Sequence, residues 1–461
     1  MLKLNIILIR YYRTLELISL MAMVNCLIVG HGAREHVIGE TLVKGGANLF
    51  SFMSFKNAGL EDLSKKIKIH SESDFKEIID FGNENKIDFA VIGPEAPLVV
   101  GIVDALEKGG IPCIGPKIEA AQLEGSKVFT RNLLEKYKIK SNVKSKIFES
   151  MEGIESFIKD MGKENLVVKP EGLTGGKGVK VYGDHLFSKA DILEYCQELT
   201  NNNNRFLLEE KCIGEEFTLQ TFVDGKTVLG SPLVQDHKRA YEDDKGPNTG
   251  GMGSYSMEDH LMPFISQKDV SIALEDMKKT VAAVKTETGV EYKGFLYGQF
   301  MKTAKGLKLI EYNSRFGDPE AMNVLPLLQG NLVDICWSII NGNLSQNFEF
   351  KKKATVCKYL APEGYPANPK RDELVKINRE EINKSGAKYY YASVYRESGK
   401  IFTTTSRAMG VLGIADSLEK AEEIAEKGVT CIEGNLFHRK DIGTLKLLQK
   451  RIDHMNSLLI E

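Results

Sequence analysis

The chain has 461 residues, enough for about two to four domains with cores of their own. Its 42% apolar and 27% charged residues are typical of an ordinary globular protein. The 61 basic residues nearly cancel the 63 acidic ones, and the net charge of −2 gives no bulk attraction to nucleic acids or anionic membranes.

The first segment, residues 1–22, is apolar but is interrupted by Arg10, Arg13 and Glu16. It contains no run of about 18 apolar residues, the length that would cross a membrane. No small-residue cleavage site follows it. We expect a dispensable extension, with a weak signal or anchor as the alternative, and we expect the fold to begin near Met23.

A strand, a glycine turn and a helix follow in the sequence VNCLIVG, HGAREH and VIGETLVKGG, which starts at Val24. Further short apolar runs at 48–55, 89–94 and 111–116 alternate with helical segments such as 99–108. Short buried strands that alternate with helices are typical of a parallel sheet. The sequence predicts an N-terminal parallel α/β domain over residues 23–122.

The turn from Gly30 to Glu35 begins like a dinucleotide-binding fingerprint, but Glu35 stands where the third glycine is required. The second strand ends in Phe55-Lys56-Asn57, without the acid that binds a ribose. These departures disfavour a nicotinamide cofactor. The helix N-terminus after Gly32 either binds an anion, such as a substrate phosphate, or forms only a tight turn.

A second unit is predicted over residues 123–346. A helix at 125–137 leads into strand, loop, strand, helix and strand, which form a small α+β subdomain at about 140–212. A hairpin at 215–234 has Asp224-Gly225 at its turn. The remaining predicted elements are a long loop at 235–254, a helix at 268–287, strands at 294–302 and 307–312, and a helix at 320–329. Residues 352–450 alternate as strands before a helix at 417–428, which predicts a strand-rich C-terminal domain.

The glycine-rich stretch VVKPEGLTGGKGVKVYG begins at Val167 and carries Lys169 and Lys177. It is not a Walker A loop, because Glu171 stands where the first glycine is required and Gly178 replaces the Ser or Thr. It also leads into a strand rather than a helix. Phosphates would therefore lie under a loop between antiparallel strands, with both lysines as compact charges. An ordinary glycine-rich hairpin is the alternative.

Glu311 and Asn313 end an apolar strand, and strand alternation places both on the same face. Gln299, on the preceding strand, is expected to point to the same place. Carboxylate and amide oxygens suit magnesium, although a solvated strand end is the alternative. Arg315 follows directly and could bind a carboxylate or phosphate. Asp318 could simply cap the next helix, with Pro319 at its first position.

The loop at 235–254 is too long and too charged for a casual connection, and long loops in compact domains are often functional. Its residues Asn248-Thr249-Gly250-Gly251 could present backbone N–H groups to an anion. The seven cysteines form no CxxC pair and the eight histidines form no HExxH motif, so a zinc site is not expected. The scattered cysteines favour a reducing cytoplasm.

These features together resemble the ATP-grasp superfamily, in which two α+β subdomains grip ATP. The resemblance narrows to the phosphoribosylamine–glycine ligase family through six motifs that occur in that family's order between about residues 24 and 335, and through the ending HRKDIG at 438–443. The six are GHGAREH, IGPEAPLVVGIVDAL, AAQLEGSKVFTR, the QDHKR…GPNTGGMG block, GFLYG and RFGDPE.

The resemblance implies that ATP phosphorylates glycine and that 5-phosphoribosylamine attacks the acyl phosphate, a step of purine biosynthesis. It implies catalytic roles for Arg315, Lys177 and Asp318. The implied ATP-binding residues are Lys127, Lys169, Lys177, Gly175, Gly176, Glu209, Glu210, Cys212 and Glu216. The implied substrate-binding residues are Gly32, Arg34, Glu35, Glu95, Asp236, Lys238, Arg239, Asn248, Thr249, Gly250, Gly251 and Arg315. The implied ligands of Mg²⁺ or Mn²⁺ are Gln299, Glu311 and Asn313.

Two other classes of function share part of this pattern. A different ATP-grasp ligase would release ADP without phosphoribosylamine, whereas a nucleotide sensor would bind ATP without turnover. The presence of both Glu311 and Asn313 disfavours the sensor. We expect small-molecule substrates, no nucleic acid or membrane partner, and a monomer or weak homodimer.

Overall fold

The computed structural model describes residues 23–173, 178–346 and 348–460. Its first part contains the strands β1 (Asn25–Val29), β2 (Asn48–Met53), β3 (Ser64–Ile69), β4 (Phe89–Ile92) and β5 (Cys113–Ile114). The helices are α1 (Ala33–Lys44), α2 (Ala58–Leu63), α3 (Phe75–Glu84), α4 (Glu95–Val99), α5 (Ile102–Lys108) and α6 (Ile118–Gly125). The strands form one parallel sheet in the order β3-β2-β1-β4-β5.

The central strands β1 and β4 are apolar runs because both faces of a parallel sheet are covered. The parallel α/β fold predicted for this region is confirmed. The helix predicted at 99–108 is divided in the structure, since α4 ends at Val99 and α5 begins at Ile102. Gly101, between them, has a φ of 92°, a left-handed conformation that glycine adopts at little cost.

A small antiparallel sheet follows α7 (Lys127–Lys136). Its elements are β6 (Ser145–Phe148), α8 (Ile154–Met161), β7 (Leu166–Pro170), β8 (Lys180–Val181), α9 (Lys189–Asn201) and β9 (Phe206–Glu210), and the strand order is β6-β9-β7-β8. Val167 pairs with Val181, so antiparallel strands flank the glycine-rich loop as predicted. Gly175, Gly176 and Lys177 lie outside the described residues.

The next part contains β10 (Gly214–Asp224), β11 (Val228–Gly230), β12 (Gln235–Asp236), β13 (Arg239–Tyr241), β14 (Lys245–Asn248), β15 (Gly253–Ser256), α10 (Gln267–Thr288), β16 (Lys293–Thr303) and β17 (Gly306–Asn313). Four of these strands form an antiparallel sheet in the order β11-β10-β16-β17. The segment at 235–254, expected to be a structureless loop, contains four short strands. β15 pairs with a strand of the C-terminal region, so a distant partner supplies the order that the local sequence does not indicate.

The C-terminal part contains α11 (Glu320–Val324), β18 (Leu328–Gln329), α12 (Leu332–Asn341), β19 (Glu349–Phe350), β20 (Ala354–Pro362), β21 (Leu374–Ile377), α13 (Arg379–Ser385), β22 (Lys388–Tyr391), β23 (Val394–Glu397), β24 (Lys400–Thr403), β25 (Met409–Ala415), α14 (Leu418–Thr430), β26 (Ile432–Glu433), β27 (Leu436–Phe437) and α15 (Leu445–Ile460). The strand-rich character predicted for this region is confirmed. The helix predicted at 320–329 is wrong beyond Val324, where a 3₁₀ turn at Leu325–Leu327 contains Pro326, which lacks a backbone N–H. Among the described residues, no helix combines the length and apolarity needed to cross a membrane.

Candidate active site

The candidate site lies where the N-terminal sheet meets the end of β17. Glu95 begins α4, just after β4, and Arg34 lies in the first turn of α1. The Glu95 carboxylate is 3.3 Å from Arg315, which follows β17, and 3.9 Å from Arg34. The RFGDPE segment therefore faces the carboxyl edge of the parallel sheet, the edge at which α/β sheets bind ligands.

Arg315 connects three side chains of this site. Its Nη2 lies 3.0 Å from Glu124 Oε1 and donates to the Asn313 side-chain oxygen at 3.2 Å, while its Nε donates to Glu95. Burial alone would raise the pKa of Glu95, but Arg315 and Arg34 outweigh it and lower the pKa to about 2. Burial raises the pKa of Glu124 to about 7, since Arg315 compensates only in part. These three side chains fix the orientation of the guanidinium.

The first turn of α1 is largely satisfied by its own side chains. The Gly32 N–H donates to Glu35 Oε2 at 2.6 Å, and Arg34 Nε donates to Glu35 Oε1 at 2.7 Å. Arg34 also donates to the Phe316 carbonyl at 3.1 Å. The anion site expected at this helix N-terminus is thus partly filled by the buried Glu35 carboxylate, whereas Arg34 extends towards Glu95.

Lys169, at the end of β7, is held in a buried ion-pair network. Its Nζ lies 2.7 Å from Glu209 Oε2 and 3.3 Å from the Ile310 carbonyl. Arg131 donates to both oxygens of Glu209, at 2.7 and 3.0 Å. Burial would raise the pKa of Glu209, but Arg131 and Lys169 lower it to about 2. The Glu209 side chain is therefore occupied by Arg131 and Lys169, and its backbone is the part that remains for a ligand.

The segment from Glu209 to Cys212, here called the hinge, is fixed by its own contacts. The Glu210 N–H donates to the Lys144 carbonyl at 2.8 Å, and the Glu210 carboxylate lies 2.5 Å from Lys308 Nζ. Cys212 is half-buried, and burial raises the pKa of its thiol to about 11. Backbone and ion-pair contacts thus fix the segment that follows Glu209.

Three lysines from separate segments act electrostatically on Glu311. Burial would raise the pKa of this carboxyl, but Lys238, Lys169 and Lys127 outweigh it and lower the pKa, and Glu311 keeps exposed surface at the end of its strand. Lys127, at the start of α7, donates to the Gly172 carbonyl at 2.5 Å, and burial lowers its pKa. Lysines grouped near one strand end supply compact positive charges that suit phosphate oxygens.

The residues expected to bind a divalent ion share one face of two paired strands. Gln299 of β16 is directly opposite Glu311 of β17, and Asn313 lies two residues further on the same face. Gln299 Nε2 donates to Glu216, while its buried Oε1 accepts no hydrogen bond among the described residues. An orphaned oxygen beside a carboxylate fits a hard cation. The described residues contain no cluster of three or more His, Cys, Asp or Glu suited to a metal.

The segment at 235–254 folds back on itself, and its Gly251 lies against Pro319. Thr249 donates to the Lys238 carbonyl through its hydroxyl at 2.8 Å, and Lys238 Nζ lies 3.5 Å from Glu216. Gly251 has a φ of 107°, and a Cβ there would lie 2.6 Å from Asp236 Oδ1. Burial and the neighbouring Glu320 raise the pKa of Asp236. Only glycine fits at position 251, and its backbone closes over Asp236.

Three other predicted residues have different surroundings. Asp318 does not cap α11, whose N-cap is Pro319; its carboxylate accepts from the Tyr359 hydroxyl and, at 3.1 Å, from Arg407. The Arg239 side chain pairs with Asp184 of the small subdomain at 2.7 Å. Asn248 is exposed on β14. The structure thus places Asp318 at the junction with the C-terminal part, and Arg239 at the junction with the small subdomain.

Comparisons with known proteins cover nearly all of this architecture. Family models match in succession: the phosphoribosylglycinamide synthetase N domain at 24–124, its ATP-grasp (A) domain at 125–321 and its C domain at 355–445. A phosphoribosylamine–glycine ligase of Thermococcus gammatolerans is 49% identical over 430 residues, which are 93% of this chain and 97% of that protein. One of Methanococcus vannielii is 48% identical over 442 residues, 94% of this chain and 99% of that protein.

The chain belongs to the phosphoribosylglycinamide synthetase family. A crystal structure of the phosphoribosylamine–glycine ligase of Thermotoga maritima agrees, with a TM-score of 0.77 at 26% identity over 91% of this chain and 100% of that one. The family and the fold class predicted from the motifs are confirmed.

Sequence reasoning missed three side chains that hold this family's motifs in place: Glu124, Arg131 and Arg407. Glu124 accepts from the Ser314 N–H at 2.6 Å, across 190 residues of sequence, and Arg131 reaches Glu209 across 78 residues. Glu124 and Arg131 fall within the motif AAQLEGSKVFTR, where two charged residues next to apolar positions were the available signal. Arg407 follows a run of Thr and Ser, with no local signal of its partner.

We expect Glu124→Gln to lower kcat by about 10- to 100-fold. At pH 8, above the Glu124 pKa of about 7, the change removes the charge from a buried carboxylate that holds Arg315, and a hydrogen bond to a charged group contributes about 1.5–3 kcal/mol. Steady-state kinetics with ATP varied should show an unchanged KM for ATP, because Glu124 contacts the arginine rather than the lysines. A kcat equal to that of the wild type would show that Glu124 does not contribute to catalysis through Arg315.

Proposed function

We propose that this chain joins glycine to 5-phosphoribosylamine at the expense of ATP and releases glycinamide ribonucleotide, ADP and phosphate. That it is an ATP-dependent ligase of purine biosynthesis follows from its family and from full-length relatives that carry this name. The observation that carries the reaction is Arg315, placed between the acidic groups of the N-terminal sheet and the strand end that bears Glu311 and Asn313.

The first step is the attack of a glycine carboxylate oxygen on the γ-phosphorus of ATP, which breaks the bond to the β-phosphate oxygen and releases ADP. Lys127 and Lys169 bind the phosphates, and the glycine-rich loop with Gly175, Gly176 and Lys177 is proposed to cover them. The Glu209–Cys212 hinge receives the adenine, and Glu216 the ribose. Arg315 orients the carboxylate and offsets the charge of the acyl phosphate. Such positioning and charge stabilisation are the main means of catalysing phosphoryl transfer.

The second step is the attack of the phosphoribosylamine nitrogen on the glycyl carbonyl. The C–N bond forms, the bond from the carbonyl carbon to the phosphate oxygen breaks, and the leaving phosphate, which keeps the former carboxylate oxygen, takes up the proton that the nitrogen loses. Asp318 is proposed to act at this junction, where its carboxylate lies beside Gly32. The acceptor side is bounded by Arg34, Glu95, Asp236, Lys238 and the 248–251 turn, with Glu35 and Arg239 in supporting positions.

Gln299, Glu311 and Asn313 would hold a divalent ion, for which we propose Mg²⁺ or Mn²⁺. When bound, such an ion neutralises phosphate charge and aligns the transferring group. We also propose that the protein works in the cytoplasm, where its free thiols suit a reducing environment, as a monomer or weak homodimer.

Transfer of ¹⁸O from glycine to phosphate tests whether an acyl phosphate forms. Glycine labelled with ¹⁸O in its carboxylate should pass one labelled oxygen to the released phosphate in each turnover, measured by mass spectrometry. Retention of both labelled oxygens in glycine or product would contradict the first step.

We expect Glu311→Gln to raise the Mg²⁺ concentration for half-maximal turnover by at least about 10-fold, since even outer-shell changes at metal sites reach that size. The substitution keeps the shape of the side chain and removes the charge that the cation needs. Glu363→Gln, at an exposed carboxylate of the C-terminal part, is the matched control. Equal Mg²⁺ dependence in both variants would exclude Glu311 as a ligand.

A further inference from the structure

Arg407, between β24 and β25, reaches out of the C-terminal part into the candidate site. Its Nη1 donates to the carbonyl oxygens of Gly250 and Gly251, each at 2.8 Å. Two consecutive carbonyls bound by one nitrogen fix the direction of the chain at this turn. The left-handed Gly251 is thereby held against Asp236 and Pro319, both of which approach it closely.

The same guanidinium also fixes Asp318. Its Nη2 donates to Asp318 Oδ2 at 3.1 Å, while the Tyr359 hydroxyl donates to Asp318 Oδ1. The Arg407 guanidinium lies 4.3 Å from the centre of the Tyr359 ring, a favourable cation–π distance. Arg407 thus connects two segments that are far apart in sequence, the 248–251 turn and the RFGDPE segment.

The contacts of Arg407 all lie on one side of the candidate site. The 248–251 turn packs against Asp236 through Gly251, and Asp318 lies near Gly32. The side chains proposed for ATP, such as Lys169 and Lys127, have their partners on Glu209 and on Gly172 instead. A change at Arg407 should therefore act on one half of the site.

We propose that Arg407 is a positioning residue through which the C-terminal domain shapes the half of the site that holds glycine and phosphoribosylamine. It acts through the backbone of Gly250 and Gly251 and through the carboxylate of Asp318. This inference rests on the proposed function. The C-terminal domain accordingly contributes to substrate affinity as well as to the fold.

The test compares Arg407→Ala, Arg407→Lys and Tyr359→Phe with Arg396→Ala in the full-length enzyme. Arg396 is the matched control because it also belongs to the C-terminal part and pairs with the N-terminal part, through both oxygens of Asp62, but at a distance from the turn. For Arg407→Ala we expect the KM values for glycine and phosphoribosylamine to rise by about 10-fold or more, as loss of charge-assisted hydrogen bonds implies. The KM for ATP should stay within about twofold of the wild-type value, because the ATP side keeps its contacts.

Arg407→Lys keeps the charge but cannot bind both segments at once, so it should give a similar split between the KM values. Tyr359→Phe removes one hydroxyl and should give a smaller rise. These two variants keep the inference testable if Arg407→Ala does not fold. An equal rise in the KM for ATP, unchanged KM values, or the same split in Arg396→Ala would overturn it. If the wild type formed ADP at the same rate with and without glycine, the proposed function would be overturned instead. Failure of this inference and failure of the proposed function therefore give different results.

Discussion

Replacing Arg315 with lysine should lower kcat by about 100- to 1000-fold, the size of effect seen when one preorganised donor is lost from a transition-state site. The guanidinium uses separate nitrogens for Glu95 and for the pair formed by Glu124 and Asn313. A lysine amine is a single point and cannot keep this fork geometry, although the positive charge remains. Rapid-quench measurement of ADP formation isolates the phosphoryl-transfer step.

Two further measurements make the Arg315→Lys result specific. The Kd for ATP should be unchanged, because the phosphate lysines keep their contacts, and the melting temperature should fall only slightly. Arg379→Lys, at an exposed arginine of the C-terminal part, is the control and should keep full activity. A loss of less than about tenfold in Arg315→Lys would show that Arg315 does not face the reacting carboxylate.

Glu209→Gln should lower the free energy of unfolding by about 3–5 kcal/mol, the cost of breaking a buried ion pair by removing one partner. Glu209 is only 2% exposed, and the change leaves Arg131 and Lys169 as buried charges without their counter-ion. Urea unfolding at pH 7 measures the effect. Glu287→Gln, at a surface pair with Lys136, should change the urea midpoint little.

The loss in Glu209→Gln should also depend on pH. The pKa of Glu209 is lowered in the folded state from 4.5 to about 2, so its ionised form stabilises the fold above pH 4.5. That contribution is lost as the pH falls from 4.5 towards 2. The wild type and the variant should therefore differ most at neutral pH and converge in acid. A constant difference between pH 7 and pH 3 would show that repacking, rather than the ion pair, causes the loss.

The sequence predicts the parts of this fold that depend on local patterns. β1 and β4 are buried on both faces, so they appear as apolar runs, and α10 carries a clear amphipathic pattern between a serine N-cap and a C-terminal glycine. Gln299, Glu311 and Asn313 could be grouped because strand alternation is a local rule, and the paired register brings them together.

The contacts that the sequence did not predict join residues far apart in the chain. β15 is ordered by β20, about a hundred residues later, and Asp318 is held by Arg407 across 89 residues. Nothing in the periodicity near 250 or near 407 specifies these partners, because register between distant segments is set by tertiary packing. The burial of Glu124 likewise depends on its distant partners Ser314 and Arg315 rather than on its own helix.

The measurement that tests the central claim most directly is ADP formation with phosphoribosylamine generated in situ, with each of the other substrates omitted in turn. Ligation through a glycyl phosphate predicts that full turnover requires ATP, glycine and phosphoribosylamine together, and that glycinamide ribonucleotide appears in equal amount to ADP. Equal rates of ADP formation with and without glycine would contradict the account, and full ADP formation without phosphoribosylamine would indicate a ligase for a different acceptor.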